Sequence, residues 1–464
     1  MYDYDVISIG AGSGGCASAM RCADLGFRTA LVEYREKGTG GTCVNRGCIP
    51  TKVLVKSAQV YKEAKEAAQY GVILSDLSLD HKIIQQKKNT IVNNLRFGLD
   101  NFLIKPRKID RLTGKAKLID PHTVELEHGG QYVKVTARNI VIATGSEPAN
   151  IPAFNIDRST IITSDEALEM ETPPQEMIIV GAGALGLEFA YIFSTFGTKV
   201  TIVEMMPQVV PAMKDQAMTE MIKKHIEKMG ITVHCGSGIK RIEADSNGRA
   251  VCTLDNGTIL EADKALVAIG RKLNTSDMGL EEAGVLMNKK GQIEVDENMR
   301  TSVENIYAVG DIVKGPQLSH KAQREGLVAA EAIAGLDSKM RYESIPWAIF
   351  IQPEIAGVGL TEADANEIGI ETVVGSMNFN ANEKAISMQK TTGSIRIIAK
   401  ARDHVIIGAQ IFGPDASVLI GEIALAVDRG LKLEDLADCI HAHPTLSEIV
   451  METAKSGLGK AFHK

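Results

Sequence analysis

Two stretches of this sequence share one layout, and that repetition limits the folds open to the chain more than any other feature. DYDVISIGAGSGG (3–15) and QEMIIVGAGALGLE (175–188) each run from an apolar strand through a glycine turn into an Ala-rich helix start. Each continues to a second strand that ends in an acid, GFRTALVE (26–33) and GTKVTIVE (197–204), so Glu33 stands from Gly10 as Glu204 stands from Gly181. A lone GxGxxG is a weak signal. With a strand before it, a helix after it and an acid about 20 residues on, it is the full fingerprint of a dinucleotide-binding βαβ unit. Gly10 and Gly181 permit the tight turn, Gly12 and Gly183 let the backbone approach a pyrophosphate, and Gly15 and Gly186 let helix and strand pack closely. The helix N-terminus then offers free N–H groups and a partial positive charge to the phosphates. Two such units predict two dinucleotide sites, with plain βα turns as the rival reading.

A chain of 464 residues exceeds one ordinary core, so several domains are expected. Apolar runs at 139–148 and 264–274 end in glycine, where each nucleotide-binding half would close, and Pro148, Pro152, Pro173 and Pro174 lie between the two halves. A further strand, NIYAVGDI (305–312), ends in Asp311, and a last region opens at IPWAIFIQPEIAGVGLTE (345–362). The expected division is 1–148, 149–271, 272–344 and 345–464, in an α/β fold with two Rossmann-like domains and a C-terminal α+β domain.

The net charge of −7 provides no basic field for a nucleic-acid backbone, so no nucleic-acid partner is expected. No apolar run approaches the ~18 residues of a membrane span, and the N-terminus carries Asp3 and Asp5 where a secretory signal carries positive charge. The expectation is a cytoplasmic protein with no membrane partner.

Seven cysteines are too few and too scattered for a secreted disulfide framework. Cys16 and Cys22 read as buried and inert, and Cys439 as a packed helix residue. Only Cys43 and Cys48, in GTGGTCVNRGCIPTK (38–52), stand out. A helix beginning near Cys43 would favour its thiolate, and a short, reducible disulfide between the two is the leading reading. Zinc is the rival, but no second Cys or His pair lies nearby to complete a site, and no metal is expected. Near the end, HAHPTLSEIVMETA (441–454) places His443 five residues before Glu448. A histidine steadied by a carboxylate can accept and return a thiol proton. Thr445 and Glu448 also fit the capping-box pattern S/T-x-x-E, and one geometry could serve both readings.

With these motifs in sequence, the chain resembles the pyridine nucleotide-disulfide oxidoreductases over its whole length. GGTCVNRGCIPTK carries the disulfide motif of the members that oxidise dihydrolipoamide, LSHKAQREG (318–326) their flavin-flanking stretch and HPTLSE (443–448) their base motif. The resemblance implies FAD in 1–148, completed by 272–344, NAD in 149–271 and a dimerisation domain in 345–464. It implies Glu33 and Glu204 on ribose hydroxyls, Lys52 and Glu188 as an ion pair close to the flavin, and Asp311 on the ribityl chain. Gly41, Thr42, Gly114, Ala143, Thr144, Gly145, Leu318, Ser319 and His320 would also contact FAD, and Glu188 and Gly270 would line the nicotinamide nucleotide. Cys43 would be the thiol that meets the substrate and Cys48 the thiolate against the flavin. His443, supported by Glu448, would arrive from the second copy of a homodimer.

The implied reaction is oxidation of dihydrolipoamide with reduction of NAD, on a lipoyl-bearing carrier of a 2-oxoacid dehydrogenase or glycine cleavage system. Glu204 favours NAD physically, because a carboxylate bonds a 2′-hydroxyl and repels a 2′-phosphate. That weakens glutathione reductase-like and trypanothione reductase-like readings. Mercuric reductase-like members carry a C-terminal cysteine pair, and AKSGLGKAFHK (454–464) has none. A flavoprotein with a mainly scaffolding role stays open as an alternative of another class.

Overall fold

A computed structural model describes residues 1–461; residues 462–464, the end of AKSGLGKAFHK, lie outside the described part. The chain forms two compact units. The first is built from Met1–Val53, Lys82–Ala149 and Gly270–Tyr342, and the second from Leu54–His81, Asn150–Ile269 and the chain from Glu343 onward.

The first unit centres on a sheet whose strands Asp110–Thr113, Thr29–Glu33, Tyr4–Ile9, Gln131–Ile142 and Ile306–Ala308 all run parallel. Near-continuous apolar runs such as TALVE and NIVI suit strands covered on both faces, and every residue of Thr29–Glu33 is buried. Ile7, Val32, Ile140, Ile142, Ile306 and Ala308 share one core. Lys115–Asp120 and Thr123–His128 extend the long strand Gln131–Ile142 as an antiparallel meander. The strand expected at 305–312 is shorter than its apolar run. It ends at Ala308, and Asp311 sits on the 3-10 turn Gly310–Ile312 that follows.

The second unit repeats the parallel layout with Thr232–His234, Lys199–Val203, Glu176–Val180, Lys264–Val267 and Ile161–Ile162. A three-stranded antiparallel sheet follows Thr232–His234 in the chain. The last region is a five-stranded antiparallel sheet, Trp347–Ile349, Glu354–Gly359, Ile406–Gly413, Ser394–Lys400 and Thr372–Asn378 in order. Helices Ala416–Arg429 and Glu448–Gly457 pack on it through Leu419, Ile423, Ile449 and Val450.

Cys16 and Cys22 are buried, and burial pushes their thiols up to about 11 and about 12. Cys439 corrects the sequence reading. The helix Leu433–Ala437 stops before it, so its thiol lies exposed in the turn leading to His441.

Candidate active site

The two glycine turns are built alike. Gly10 and Gly181 both have φ of +105°, in the region glycine alone enters without strain, and their Cβ positions would fall 2.3 Å from the Ala143 carbonyl oxygen and 2.6 Å from that of Ala268. At Gly15 and Gly186 a Cβ would lie 1.8 and 2.0 Å from the carbonyl oxygens of Gly10 and Gly181. Gly183 has no atom within 4 Å of its Cβ position, and at Gly12 the nearest atom, Gly41 Cα, is 3.9 Å away. Helices Ser13–Asp24 and Ala184–Thr195 have these open glycines as N-caps, with no side-chain cap on their first amides. Clear approach and uncapped N–H groups are what a pyrophosphate requires, so the residues fit a dinucleotide in each unit.

The acids fit as well and do more than the sequence suggests. Glu33 Oε2 accepts the Ala11 N–H at 3.1 Å and Oε1 the Arg35 N–H at 3.1 Å. Glu204 repeats this with Ala182 at 2.7 Å and Met206 at 2.8 Å. Each carboxylate ties its strand end to the glycine turn. With about four lone-pair sites it retains capacity for ribose hydroxyls.

Replacing Gly186 with alanine is expected to destabilise the second unit by about 1–3 kcal/mol through overpacking and to abolish NADH binding. Denaturant unfolding and NADH fluorescence titration measure the two effects.

In the first unit Gly114, φ +154°, forms the bend between Asp110–Thr113 and Lys115–Asp120 and donates its N–H to the Glu33 carbonyl at 3.1 Å. Ala143 is buried, and Thr144 and Gly145 are stitched to Asn274: the Thr144 hydroxyl donates to the Asn274 carbonyl at 2.7 Å, and the Asn274 N–H donates to the Gly145 carbonyl at 2.9 Å. Asp311 Oδ2 accepts the Ser146 hydroxyl at 2.5 Å, and Arg271 Nε donates to that hydroxyl oxygen at 2.6 Å. Ser146, Arg271 and Asn274 were missed in the sequence, though they flank the two glycine-ended strands. Leu318 caps the helix Ser319–Ile333, His320 is exposed, and Gly270 opens the third segment of this unit. Glu188, in the second unit, is buried and accepts the Phe350 N–H at 3.0 Å.

Cys43 is the third residue of the short helix Gly41–Arg46, which also holds Thr42, and Cys48 starts the helix Cys48–Lys65 after a break at Gly47. Pro50 falls in that first turn, where its missing N–H costs no helical bond. Both thiols are free and half-buried, and they hydrogen-bond to one another. That bond lowers Cys43 to about 7 against the opposing effect of burial, with the Ser319 hydroxyl, the Lys52 charge and the Cys48 N–H assisting. The same bond, with burial, pushes Cys48 well above the usual thiol range. Two sulfurs sharing one proton give up the first easily and the second reluctantly. The helix start that favours the Cys43 thiolate is thus the one at Cys48. Ser319 meets Ser13 as well, Oγ to Oγ at 2.6 Å.

His443 and Glu448 lie together in the second unit, His443 Nδ1 to Glu448 Oε1 at 3.0 Å, while Glu448 Oε2 accepts the Thr445 N–H at 2.8 Å. One carboxylate serves both readings of the motif. Only half the capping box forms, because the helix starts at Glu448 itself with Ser447 as its N-cap, and the Thr445 hydroxyl donates to the Ala442 carbonyl. Glu448 raises His443, with a smaller contribution from Glu383, whose Oε2 lies 3.2 Å from Nε2. Burial would raise Glu448, but the Thr445 N–H and His443 hold it below the usual range. Glu383 has no sequence signal, being distant in the chain. The approach to His443 is pinned by His441, Nε2 to Glu422 Oε1 at 3.0 Å and Nδ1 to the Cys439 carbonyl oxygen at 3.0 Å. Glu422, Cys439 and His441 are also the one group of possible metal ligands among the described residues, and no ion is needed to satisfy this histidine.

A doubled dinucleotide fold with a paired dithiol defines a disulfide oxidoreductase of the two-nucleotide class. Comparison with known proteins agrees: residues 4–326 match pyridine nucleotide-disulphide oxidoreductase and residues 345–454 its dimerisation domain. The chain is 40% identical to a dihydrolipoyl dehydrogenase of Geobacillus stearothermophilus, covering 99% of this chain and 97% of that one. To the Bacillus subtilis dihydrolipoyl dehydrogenase it is 37% identical, over 99% and 98%. Among solved structures it is similar to the HOCl-induced flavoprotein disulfide reductase RclA from Escherichia coli, with TM-score 0.85, 29% identity and 96% and 98% covered. LpdA from Mycobacterium tuberculosis shares the fold at TM-score 0.90 and 24% identity, over 97% and 99%. The chain belongs to the pyridine nucleotide-disulphide oxidoreductase family. It is an FAD-dependent oxidoreductase with a pyridine nucleotide as its second cofactor, and a homodimer. No described helix is long and apolar enough to cross a membrane.

Proposed function

We propose that the chain oxidises the dihydrolipoyl group of a carrier protein to its disulfide, with NAD as the final acceptor. The observation that carries this is the half-buried Cys43–Cys48 dithiol, placed where the helices Gly41–Arg46 and Cys48–Lys65 adjoin, in a chain of near full-length likeness to dihydrolipoyl dehydrogenases. The carriers that fit are lipoyl domains of 2-oxoacid dehydrogenase complexes or of a glycine cleavage system. A soluble cytoplasmic location suits them.

FAD belongs to 1–148 with 272–344, and NAD to 149–271. Gly10, Gly12, Gly15, Gly41, Thr42 and Glu33 hold the first dinucleotide, together with Gly114, Ala143, Thr144, Gly145, Asp311 and the helix start Leu318–His320. Gly181, Gly183, Gly186, Glu188, Glu204 and Gly270 hold the second. When bound, FAD takes the electron pair of the dithiol and NAD accepts it as hydride. A substrate thiolate attacks the Cys43 sulfur of the disulfide, forming a mixed disulfide and releasing Cys48 as thiolate. The substrate's second thiol then displaces Cys43. His443, contributed by the second copy, removes the substrate's thiol protons, and Glu448 fixes its tautomer through Nδ1. Lys52 lowers both cysteine thiols and so favours the released thiolate.

Glu204→Gln is expected to raise use of NADPH relative to NADH by about tenfold, since it removes the charge that repels a 2′-phosphate. The ratio of kcat/KM for the two nucleotides measures it.

The likeness to RclA supports one other reading, a disulfide reductase of different substrate. Assays with dihydrolipoamide plus NAD, and with NADPH plus oxidised glutathione or mercuric ion, separate the two. Turnover in the first supports the proposal; activity only with NADPH overturns it.

A further inference from the structure

Lys321 and Glu325 sit one turn apart on the helix Ser319–Ile333, with both side chains fully buried and Nζ 3.2 Å from Oε1. Two buried charges lose more solvation than their attraction returns unless further hydrogen bonds complete them. Here those bonds converge on one peptide residue. The Gly310 N–H donates to Glu325 Oε2 at 2.8 Å, and Lys321 Nζ donates to the Gly310 carbonyl at 2.8 Å. The Tyr342 hydroxyl donates to Glu325 Oε1 at 2.8 Å.

Gly310 has φ of +87° and directly precedes Asp311. The main chain at this turn is therefore gripped through a donor and an acceptor at once, while the Asp311 carboxylate is held from its own side by the Ser146 hydroxyl, to which Arg271 Nε donates in turn while lying 3.9 Å from Asp311 Oδ2. An apolar pair at 321 and 325 would fill the same space but leave the Gly310 N–H without its carboxylate and the Gly310 carbonyl with only the Val313 N–H, at 3.3 Å. None of this cluster touches the thiols or His443 in any contact described above.

We propose that Lys321 and Glu325 are positioning residues of the flavin site, which fix the Gly310 peptide and thereby preset Asp311 for FAD. The proposal rests on the assignment of FAD to this unit. Preset geometry contributes to affinity because the ligand no longer bears the cost of ordering the loop.

The test compares the purified wild-type dimer with the double variant Lys321→Met/Glu325→Leu. Removing both charges together leaves no uncompensated buried ion, so the double variant is expected to fold, with a thermal unfolding midpoint by circular dichroism lowered only by the loss of the Gly310 and Tyr342 hydrogen bonds. FAD release, followed by the rise of free flavin fluorescence on dilution, is expected to show a dissociation constant raised about tenfold or more. A folded double variant that holds FAD within twofold of wild type overturns the proposal while leaving the flavin assignment intact. A wild-type protein that takes up no added FAD overturns both. Should the double variant fail to fold, Tyr342→Phe removes one bond to Glu325. A few-fold weaker FAD binding then supports the proposal, and unchanged binding overturns it.

Discussion

Cys48→Ala is expected to cut dihydrolipoamide oxidation by roughly a thousandfold or more, because no disulfide can then form to accept the substrate's electrons. FAD is expected to remain bound, since Cys48 is not among the residues proposed to hold it. The variant also reports on proton sharing. In the wild-type dithiol, Cys43 is lowered to about 7 first of all by its hydrogen bond with Cys48. Removing that side chain leaves burial opposed by Ser319, Lys52 and the backbone N–H of residue 48, without the largest lowering contribution, so the Cys43 thiol moves up. The rate of iodoacetamide labelling of reduced protein, followed against pH, is expected to have its midpoint near 7 in wild type and clearly higher in the variant. An unmoved midpoint, or retained turnover, contradicts the assignment. Retained carrier binding with lost turnover is the result for a redox enzyme that also docks, and it excludes a purely scaffolding role.

The second large effect is at His443. His443→Gln removes the proton acceptor and is expected to lower turnover by roughly 100- to 10,000-fold. Glu448→Gln gives the more informative pH profile. Glu448 raises His443, so losing its charge lowers the histidine toward its ordinary value. The neutral imidazole is the working base, and it then persists to lower pH. The acid limb of kcat/KM should therefore move to lower pH, while maximal turnover falls because Nδ1 is less firmly oriented. Steady-state rates across pH check both, and an acid limb that stays put or moves upward argues against the pair.

The dinucleotide framework was readable in the sequence because its demands are local. Gly10 and Gly181 require positive φ, and Gly15 and Gly186 lie against the carbonyl oxygens of those same turns, so the residues and their spacing carry the whole requirement. The His443–Glu448 pair was legible for the same reason, five residues apart on one turn. The pairing of Lys321 and Glu325 was not, because an i, i+4 pair of opposite charge reads as a solvated helix face, and only tertiary packing buries it against Gly310. Glu383, Arg271 and Asn274 reach their partners across long sequence separations that no local pattern encodes. Cys439 was misjudged because an apolar neighbourhood, LADCI, outlasts its helix, which ends at Ala437.

Anaerobic titration of the oxidised protein with NADH, counting electron pairs accepted per subunit, tests most directly whether Cys43 and Cys48 are a working redox pair. The wild type is predicted to take up one electron pair more than its bound flavin alone accepts, with two new thiols titrating with Ellman's reagent, and Cys48→Ala to lose that extra pair. A wild-type protein that accepts only the flavin's pair and gains no thiols contradicts the account.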